Sequence, residues 1–336
     1  MDAYWQGDDF LINNEIEFYR AKNDILEEKI AKYQFAITKL GKTYSKFEYS
    51  QYFGKTAKEE LDWLIDYNKK LTTYCNDTHN LLIKYGRESV KNGVNCDISA
   101  AYEWAKYAFS KSDKLVALTY DDAPNSDTER LLNGLKERNI SACFFIIGNE
   151  INDSNAALIR RMIDEGHIVG NHSMSHVPLY HATKSDRVTP LDPDRDVLEL
   201  SEILVSKFEY NDFLLRVPGL IYAKFGSGNA SNGKYDAKSI SINNNLVLVD
   251  TNIGFNDADG SRSADDIYDD LMSVEQGSIV LLHVKSASVD ASLKYIDNKL
   301  KEGYTFVTVP EMLMAYNGRI DLGVAYKTSG TFAILP

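Results

Sequence analysis

From Lys114 onward, short apolar runs alternate with segments whose apolar residues recur at helical spacing. This alternation is typical of a parallel β-sheet, because neighbouring parallel strands are usually connected through a helix. Seven apolar runs favour a closed or nearly closed α/β barrel over a short open sheet. The predicted strands are LVALTY, ACFFIIG, IVGN, FLLRV, LVLVD, SIVLLHV and FVTV, and the predicted helices are 126–138, 154–165, 194–208, 263–274 and 288–302.

Residues 1–110 differ from the rest of the chain, since they contain no proline and almost no strand-like runs. Helical spacing of apolar residues predicts helices over 12–40, 56–82 and 98–109, the last with Asp97 as its N-cap. Such apolar stripes are usually packing faces rather than binding sites. We therefore predict a helical domain over 1–110, a barrel domain over 111–318, and an irregular C-terminal tail over 319–336 that can add a strand.

The composition narrows the classes of partner. A net charge of −12 argues against a main role in binding nucleic acid or anionic membranes. No run of about 18 apolar residues is present, so no membrane span is expected. The first residues, MDAYWQGDDF, lack a signal pattern, which predicts either a cytoplasmic protein or an exported one whose leader is outside this chain.

The three cysteines form no C-x-x-C pair, so a cysteine zinc site is not expected. Cys143 lies in an apolar run and is expected to be a buried hydrophobic residue. Cys75 and Cys96 would pair in an oxidising compartment or remain free thiols, and the sequence leaves both alternatives open.

Several predicted barrel strands end in an ionisable residue. In a βα barrel, the carboxyl ends of the strands meet at one face, where active sites form. We therefore expect these polar residues to lie close together in one site. The residues in question are Asp121 and Asp122 after LVALTY, His172 and His176 after IVGN, Arg216 after FLL, Asp250 after LVLV, and His283 after IVLL.

His172 and His176 are four residues apart, and on a helical turn both imidazoles would reach one metal ion. With a nearby aspartate they complete a site of two histidines and one carboxylate that leaves coordination positions open for water and substrate. Zinc, cobalt, nickel and ferrous iron all suit this set of ligands.

The adjacent carboxylates can have different roles, one binding the metal and the other accepting a proton from a polarised water as general base. Because successive side chains of a strand point to opposite faces, both reach one site only where the strand end is irregular. Arg216 is expected to pair with the base aspartate. His283 is a candidate general acid for the leaving group.

These residues resemble the motifs of the metal-dependent polysaccharide deacetylases of the carbohydrate esterase family 4 type, over about residues 113–315. The family's T-F-D-D-G-P motif corresponds to residues 119–124, TYDDAP, and its H-[ST]-x-x-H motif is intact at 172–176. Its R-P-P-x-G motif is represented by 216–219, RVPG, and its L-L-H-D motif by 281–284, LLHV. The departures, with alanine for glycine and valine for aspartate among them, suggest an altered substrate groove.

The resemblance implies a deformed βα barrel in which Asp121 is the catalytic base and the metal ligands are Asp122, His172 and His176. The family's fourth motif contains an aspartate that tunes the acid histidine and is followed by tryptophan. Here VDTNIGFNDADG offers Asp250 and Asp257 without a tryptophan. We expect Asp250 to support His283, because Asp250 ends the apolar strand.

The implied activity is metal-dependent hydrolysis of acetyl groups from N-acetylated sugars of a chitin-like or peptidoglycan-like glycan, with release of acetate. Zinc is the expected metal, with cobalt or nickel as alternatives. A backbone N–H such as that of Tyr120 would help to stabilise the oxyanion of the reaction. The alternatives are an O-acetyl xylan-type esterase and a catalytically impaired glycan-binding module. The family's substrates imply a periplasmic, cell-envelope or secreted location, and the N-terminal helices are expected to cover the groove, self-associate or bind a partner.

Overall fold

The computed structural model divides the chain into two compact units, Met1–Leu82 and Ile83–Pro336. The predicted helical domain extended further, to residue 110. The structure describes residues 5–39, 56–91, 101–102, 105–110, 112–178, 191–219, 237–251, 253–258, 260–320, 325–328 and 332–334.

The first unit consists of helix α1 (Trp5–Lys39) and most of helix α2 (Ala57–Lys91). A capping box begins α2, in which Thr56 and Glu59 exchange hydrogen bonds between side chain and backbone. Asn68 Nδ2 donates to Asn23 Oδ1 over 2.9 Å, and both side chains are buried between the helices. The apolar contacts between the helices include Ile12, Ile16, Tyr19, Leu61, Trp63 and Leu64.

Of the predicted third helix, the structure describes only a single turn, α3 (Ala105–Ala108), in the second unit. The proposed N-cap, Asp97, lies outside the described residues, as does Cys96. Cys75 and Cys143 are buried free thiols. In the described part of the chain, no helix is both long enough and apolar enough to cross a membrane.

The second unit alternates strands and helices. Its helices after α3 are α4 (Thr128–Glu137), α5 (Ala156–Asp164), α6 (Pro193–Phe208), α7 (Ala237–Asn243), α8 (Ala264–Met272), α9 (Ser286–Lys301) and α10 (Val309–Asn317). Its strands are β1 (Leu115–Ala123), β2 (Cys143–Ile146), β3 (Ile168–Asn171), β4 (Leu214–Leu215), β5 (Val247–Val249), β6 (Ile253–Gly254), β7 (Ser278–His283), β8 (Thr305–Phe306), β9 (Ala325–Thr328) and β10 (Phe332–Ile334).

The strands form one sheet in the order β10-β9-β5-β4-β3-β2-β1-β7-β6, with β8 paired to β1. All pairs are parallel except β9 with β10. In the sequence, only residues 250–252 separate β5 from β6. In the sheet, the strands β4, β3, β2, β1 and β7 lie between them. The sheet therefore curls back on itself, and Thr251 Oγ1 bonds to the carbonyl oxygen of Ile279 on β7 over 2.7 Å. The predicted deformed βα barrel is confirmed.

The five predicted barrel helices are present, with ends shifted by at most two residues. Helix α10 was not predicted, because FVTV was interpreted as one strand, whereas β8 ends at Phe306. At the start of α10, Glu311 Oε2 accepts the N–H of Thr308 over 2.7 Å, and the T-x-x-E spacing of a capping box was a sequence signal for this helix. The C-terminal tail adds two strands, β9 and β10, to the sheet.

Candidate active site

The end of strand β1 brings the two adjacent aspartates to one site. Thr119 and Asp121 still follow the regular register with β7, in which Asp121 lies opposite His283. The register with β2 then shifts between Asp121 and Ala123, and Asp122 has a φ of 64°. This irregularity redirects the Asp122 side chain, so that neighbouring residues no longer point to opposite faces of the sheet.

Asp122, His172 and His176 form a cluster in which one ligand atom from each residue lies within 4.8 Å of the others. Oδ1 of Asp122 is 3.6 Å from Nε2 of His172 and 3.2 Å from Nε2 of His176. This oxygen is buried and has no well-oriented hydrogen-bond donor among the described residues. A buried carboxylate oxygen without a donor, facing two imidazole nitrogens, fits a divalent metal of the zinc type.

The two histidines are brought together by a loop and not by the predicted helical turn. Residues 172–178 follow β3 without forming a helix, and Ser173 and His176 have φ values of 66° and 54°. The imidazole rings still lie with centroids 4.9 Å apart. The spacing of four residues was therefore correct for proximity but wrong for the local conformation.

His172 is oriented by the main chain. Its Nδ1 lies 2.7 Å from the carbonyl oxygen of Arg216, an acceptor that requires the proton on Nδ1 and leaves the lone pair of Nε2 facing Asp122. Burial lowers the pKa of His172 despite the nearby carboxylates. The neutral imidazole is the form that binds a metal.

Charges in the cluster also favour an ionised Asp122. Burial alone would raise the pKa of Asp122, but His176 and His172 outweigh it and lower this pKa to about 2. The same carboxylate raises the pKa of His176. The Asp122 carboxylate is therefore ionised over the physiological pH range, as a metal ligand would need to be.

Arg216 crosses the barrel interior from the end of β4 to β1. Its Nη1 donates to Oδ1 of Asp121 over 2.7 Å and also lies 2.7 Å from Oγ1 of Thr119. Its guanidinium carbon is 4.2 Å from the ring centroid of Phe145. Both charged side chains are almost completely buried, so the pair is shielded from water and strongly oriented. Among the described residues, no hydrogen bond is made to the second oxygen of Asp121.

Asp257, and not Asp250, is the carboxylate that contacts His283. Oδ1 of Asp257 lies 2.9 Å from Nδ1 of His283, and Oδ2 accepts the His283 backbone N–H over 2.8 Å. Oδ2 also accepts the hydroxyl of Ser288 over 2.6 Å. The preference for Asp250 was wrong in this respect, because strand β6 pairs with β7 and returns the following loop to His283.

The charges around His283 favour its protonated form. Burial alone would lower the pKa of His283, but Asp257 and the more distant Asp121 together raise it above the usual value. Conversely, His283 and Ser288 lower the pKa of Asp257, although burial opposes them. This arrangement suits a histidine that donates a proton.

Two further expected residues have other surroundings. Asp250 is buried after β5, where Oδ1 accepts the N–H of Thr251 over 2.9 Å, and its assignment to catalysis stays a prediction. Tyr120 lies within β1, which is paired with β2 and β7 on its two sides. Its backbone N–H therefore belongs to the sheet, and Tyr120 is not a suitable oxyanion donor.

The sequence analysis did not identify Ser288 or the residues that support the loop 172–178, which we call the histidine loop. Ser288 lies in the first turn of α9, where a serine has no distinctive signal. Asn171 Oδ1 accepts the N–H of Ser173 over 2.9 Å, and Asn171 Nδ2 in turn contacts Asp212 Oδ2 over 3.1 Å. Asn171 immediately precedes His172, which was the only indication of its role.

Comparison with known proteins identifies relatives of this chain. The family model described as polysaccharide deacetylase matches residues 109–225. The peptidoglycan-N-acetylglucosamine deacetylase PgdA of Listeria monocytogenes is 27% identical over 219 residues, covering 65% of this chain but only 42% of the Listeria protein. This chain therefore spans less than half the length of that relative.

Two further relatives are matched over most of their own length. The chitin deacetylase of Colletotrichum lindemuthianum is 30% identical over 214 residues, which cover 59% of this chain and 79% of the fungal protein. The solved structure of the T48 deacetylase with substrate has a TM-score of 0.51 and 25% sequence identity, covering 64% of this chain and 97% of that one. With its curled parallel barrel and a relative of this identity and coverage, the chain belongs to the polysaccharide deacetylase family.

Proposed function

We propose that this chain is a metal-dependent hydrolase that removes acetyl groups from N-acetylated sugars of a polysaccharide or oligosaccharide, releasing acetate. The observation that carries the proposal is the placement of two oriented acid–base groups beside a candidate metal centre. Asp121 is paired with Arg216, His283 is paired with Asp257, and Asp121 and His283 are register partners on β1 and β7.

Asp122, His172 and His176 would hold the metal. When bound there, a divalent metal supplies Lewis-acid polarisation of the acetyl carbonyl and lowers the pKa of water. Oδ2 of Asp121 is 3.8 Å from Nε2 of His172, so the base carboxylate lies beside this cluster. The buried pairing of Asp121 with Arg216 keeps its other oxygen occupied and its orientation fixed.

In the proposed reaction, Asp121 accepts a proton from the water that attacks the acetyl carbon. His283 donates a proton to the departing nitrogen as the carbon–nitrogen bond breaks, which yields acetate and a free amino sugar. Asp257 holds Nδ1 of His283, so that Nε2 is the nitrogen available to the substrate. The two proton transfers thus use residues on adjacent strands.

The proposed substrate places the protein outside the cytoplasm, because N-acetylated structural glycans belong to the cell envelope and the extracellular space. The matched relatives are named for peptidoglycan and chitin, which are both built from N-acetylated sugars. The proposal requires no nucleic acid. Self-association through the helices α1 and α2 is a separate proposal, tested by the oligomeric state of the full chain and of a chain without residues 1–82.

Acetate release tests the proposal. The full chain is incubated with N-acetylated chitooligosaccharide, peptidoglycan and acetyl xylan, with and without a chelator. We expect acetate from an N-acetylated substrate, its loss on chelation, and recovery when zinc or cobalt is added. Release from acetyl xylan alone would favour an O-acetyl esterase, and tight glycan binding without acetate would favour a binding module.

Asp121→Asn separates the base from the metal ligands. The amide retains the size of the carboxylate but accepts protons poorly, so we expect kcat to fall by about 10²–10⁴-fold while the bound metal stoichiometry is unchanged. Full activity of this variant would refute the proposed role of Asp121. A loss of the metal together with the activity would show instead that Asp121 is a ligand.

A further inference from the structure

The two histidines of the candidate metal site are held in different ways. The His172 ring is buried, and its Nδ1 is fixed by the Arg216 carbonyl oxygen over 2.7 Å. The His176 side chain is 40% exposed, and among the described residues no acceptor contacts its Nδ1. Metal-binding histidines usually donate this second N–H to a fixed acceptor. His176 therefore depends on its backbone for its position.

That backbone is held by hydrogen bonds to two neighbouring segments. The N–H groups of Gly148 and Asn149 donate to the carbonyl oxygens of Ser173 and Met174 over 3.1 and 2.8 Å. The N–H of His176 donates to Ser173 Oγ over 3.1 Å. Because His176 has a positive φ, which costs energy for a non-glycine residue, these bonds are needed to maintain its conformation.

Asp196 on helix α6 supplies the remaining contacts, and it does so with both its backbone and its side chain. Its carbonyl oxygen accepts the N–H of Met174 over 3.0 Å, and Oδ2 accepts the hydroxyl of Ser175 over 3.0 Å. The N–H of Ser175 is 3.4 Å from the same carboxylate oxygen. Asp196 is buried, so these bonds are shielded from competing water.

We propose that Asp196 is a positioning residue for the metal site, which fixes Met174 and Ser175 so that the exposed ligand His176 points at Asp122. The inference rests on the proposed metal-dependent function. No hydrogen bond or ion pair joins Asp196 to the three ligand side chains, so we infer that it acts through the loop that carries His176. Through the backbone it supplies the support that His172 receives at its ring Nδ1 and that no described residue gives to Nδ1 of His176.

A general role of Asp196 at the start of helix α6 is the competing explanation. Acidic residues in the first turn stabilise a helix through its dipole, and α6 has two of them, Asp194 and Asp196. Asp194 contacts the side chains of Asn243 and Asn244 and not the histidine loop. Asp194→Ala therefore removes the same charge from the same helical turn and is the matched control.

The test measures metal affinity of the full chain, independently of activity. Apo wild type, Asp196→Ala, Asp194→Ala and Ser175→Ala are titrated with zinc against a competing chelator, and cobalt absorption reports the coordination geometry. We expect Asp196→Ala to weaken zinc binding by about 10–100-fold and to alter the cobalt spectrum. Ser175→Ala removes the donor of the same hydrogen bond and should also weaken zinc binding. Asp194→Ala should change the zinc affinity less than twofold.

The double variant Ser175→Ala/Asp196→Ala adds a second criterion. If the two residues act through one contact, the double variant loses less zinc affinity than the product of the two single fold-losses. Wild-type affinity of both Asp196→Ala and Ser175→Ala, or equal weakening by Asp194→Ala and Asp196→Ala, would overturn the inference. A wild-type chain that binds no metal would refute the proposed function and this inference with it.

Discussion

The Asp257 carboxylate holds His283 at two points, at the ring through Nδ1 over 2.9 Å and at the backbone N–H over 2.8 Å. The imidazole is thus fixed in orientation and in tautomer by one residue. Because burial alone would lower the pKa of His283 and the carboxylates reverse this effect, the protonated form persists to higher pH.

Asp257→Asn should impair the acid step and change its pH dependence. Without the negative charge, burial dominates and the pKa of His283 falls. Activity that needs protonated His283 is lost as pH rises through this pKa, so the basic limb of the kcat profile should move to lower pH. We expect kcat at neutral pH to fall by about 10²-fold or more. Asp250→Asn is the comparison, because Asp250 was the other candidate partner of His283. An unshifted basic limb in Asp257→Asn, or a larger shift in Asp250→Asn, would contradict the assignment.

Ser288→Ala tests whether Asp257 itself needs support. The Ser288 hydroxyl donates to Asp257 Oδ2 over 2.6 Å, and both side chains are buried. A hydrogen bond to a charged group contributes about 1.5–3 kcal/mol, so we expect kcat to fall on the order of tenfold, with KM little changed. Ser292→Ala, one turn further along the same buried face of α9, should retain most of the activity. Equal losses in the two variants would indicate a packing effect.

The clustering of the candidate metal ligands could be predicted because residue types and strand ends are both visible in the sequence, whereas the choice of Asp122 over Asp121 came from the family resemblance. His172, His176 and Asp122 follow apolar runs whose order places them at one face of a barrel. The conformation of the histidine loop could not be predicted from the spacing of four residues, because residues four apart lie close together both in a helix and in this loop. The loop depends on bonds from Gly148, Asn149 and Asp196, which are distant in the sequence.

The error at Asp250 has a similar physical origin. Strand β6 contains only two residues, Ile253 and Gly254, and so short a strand has no recognisable alternation. Its pairing with β7 nevertheless determines that Asp257, and not the residue directly after β5, returns to His283. The partner of an ionisable residue thus depended on sheet pairing that the local sequence does not encode.

His167 should make the stability of the protein sensitive to mild acid. Burial lowers the pKa of His167 from 6.5 to about 4, and its Nδ1 accepts the N–H of Ala142 over 3.1 Å. Between these two pKa values the unfolded chain binds the proton and the folded protein does not. The free energy of unfolding should therefore decrease as pH falls from about 7 to 4, by up to ~3 kcal/mol.

His167→Gln removes this titrating group and provides the comparison. Urea unfolding of wild type and variant at pH 7 and pH 4.5 gives the change in the free energy of unfolding for each. We expect a smaller change in His167→Gln than in wild type, even if the variant is less stable at pH 7. An identical pH dependence in the two proteins would show that His167 does not contribute.

Gly148→Ala should disturb the candidate metal site through the histidine loop. A Cβ at residue 148 would collide with Sδ of Met174 and lie only 3.0 Å from Met174 Cα, where the contacting atom belongs to the backbone of the histidine loop. We expect zinc affinity to decrease about tenfold or more. Gly134→Ala, where an added Cβ meets only the flexible Leu293 side chain, should reduce stability without changing zinc affinity.

Adding Met174→Ala to Gly148→Ala removes the sulfur clash but not the backbone contact, so affinity should recover only in part. Complete recovery would place the effect of Gly148 in the Met174 side chain, and no loss in the single variant would show that the loop accommodates the methyl group.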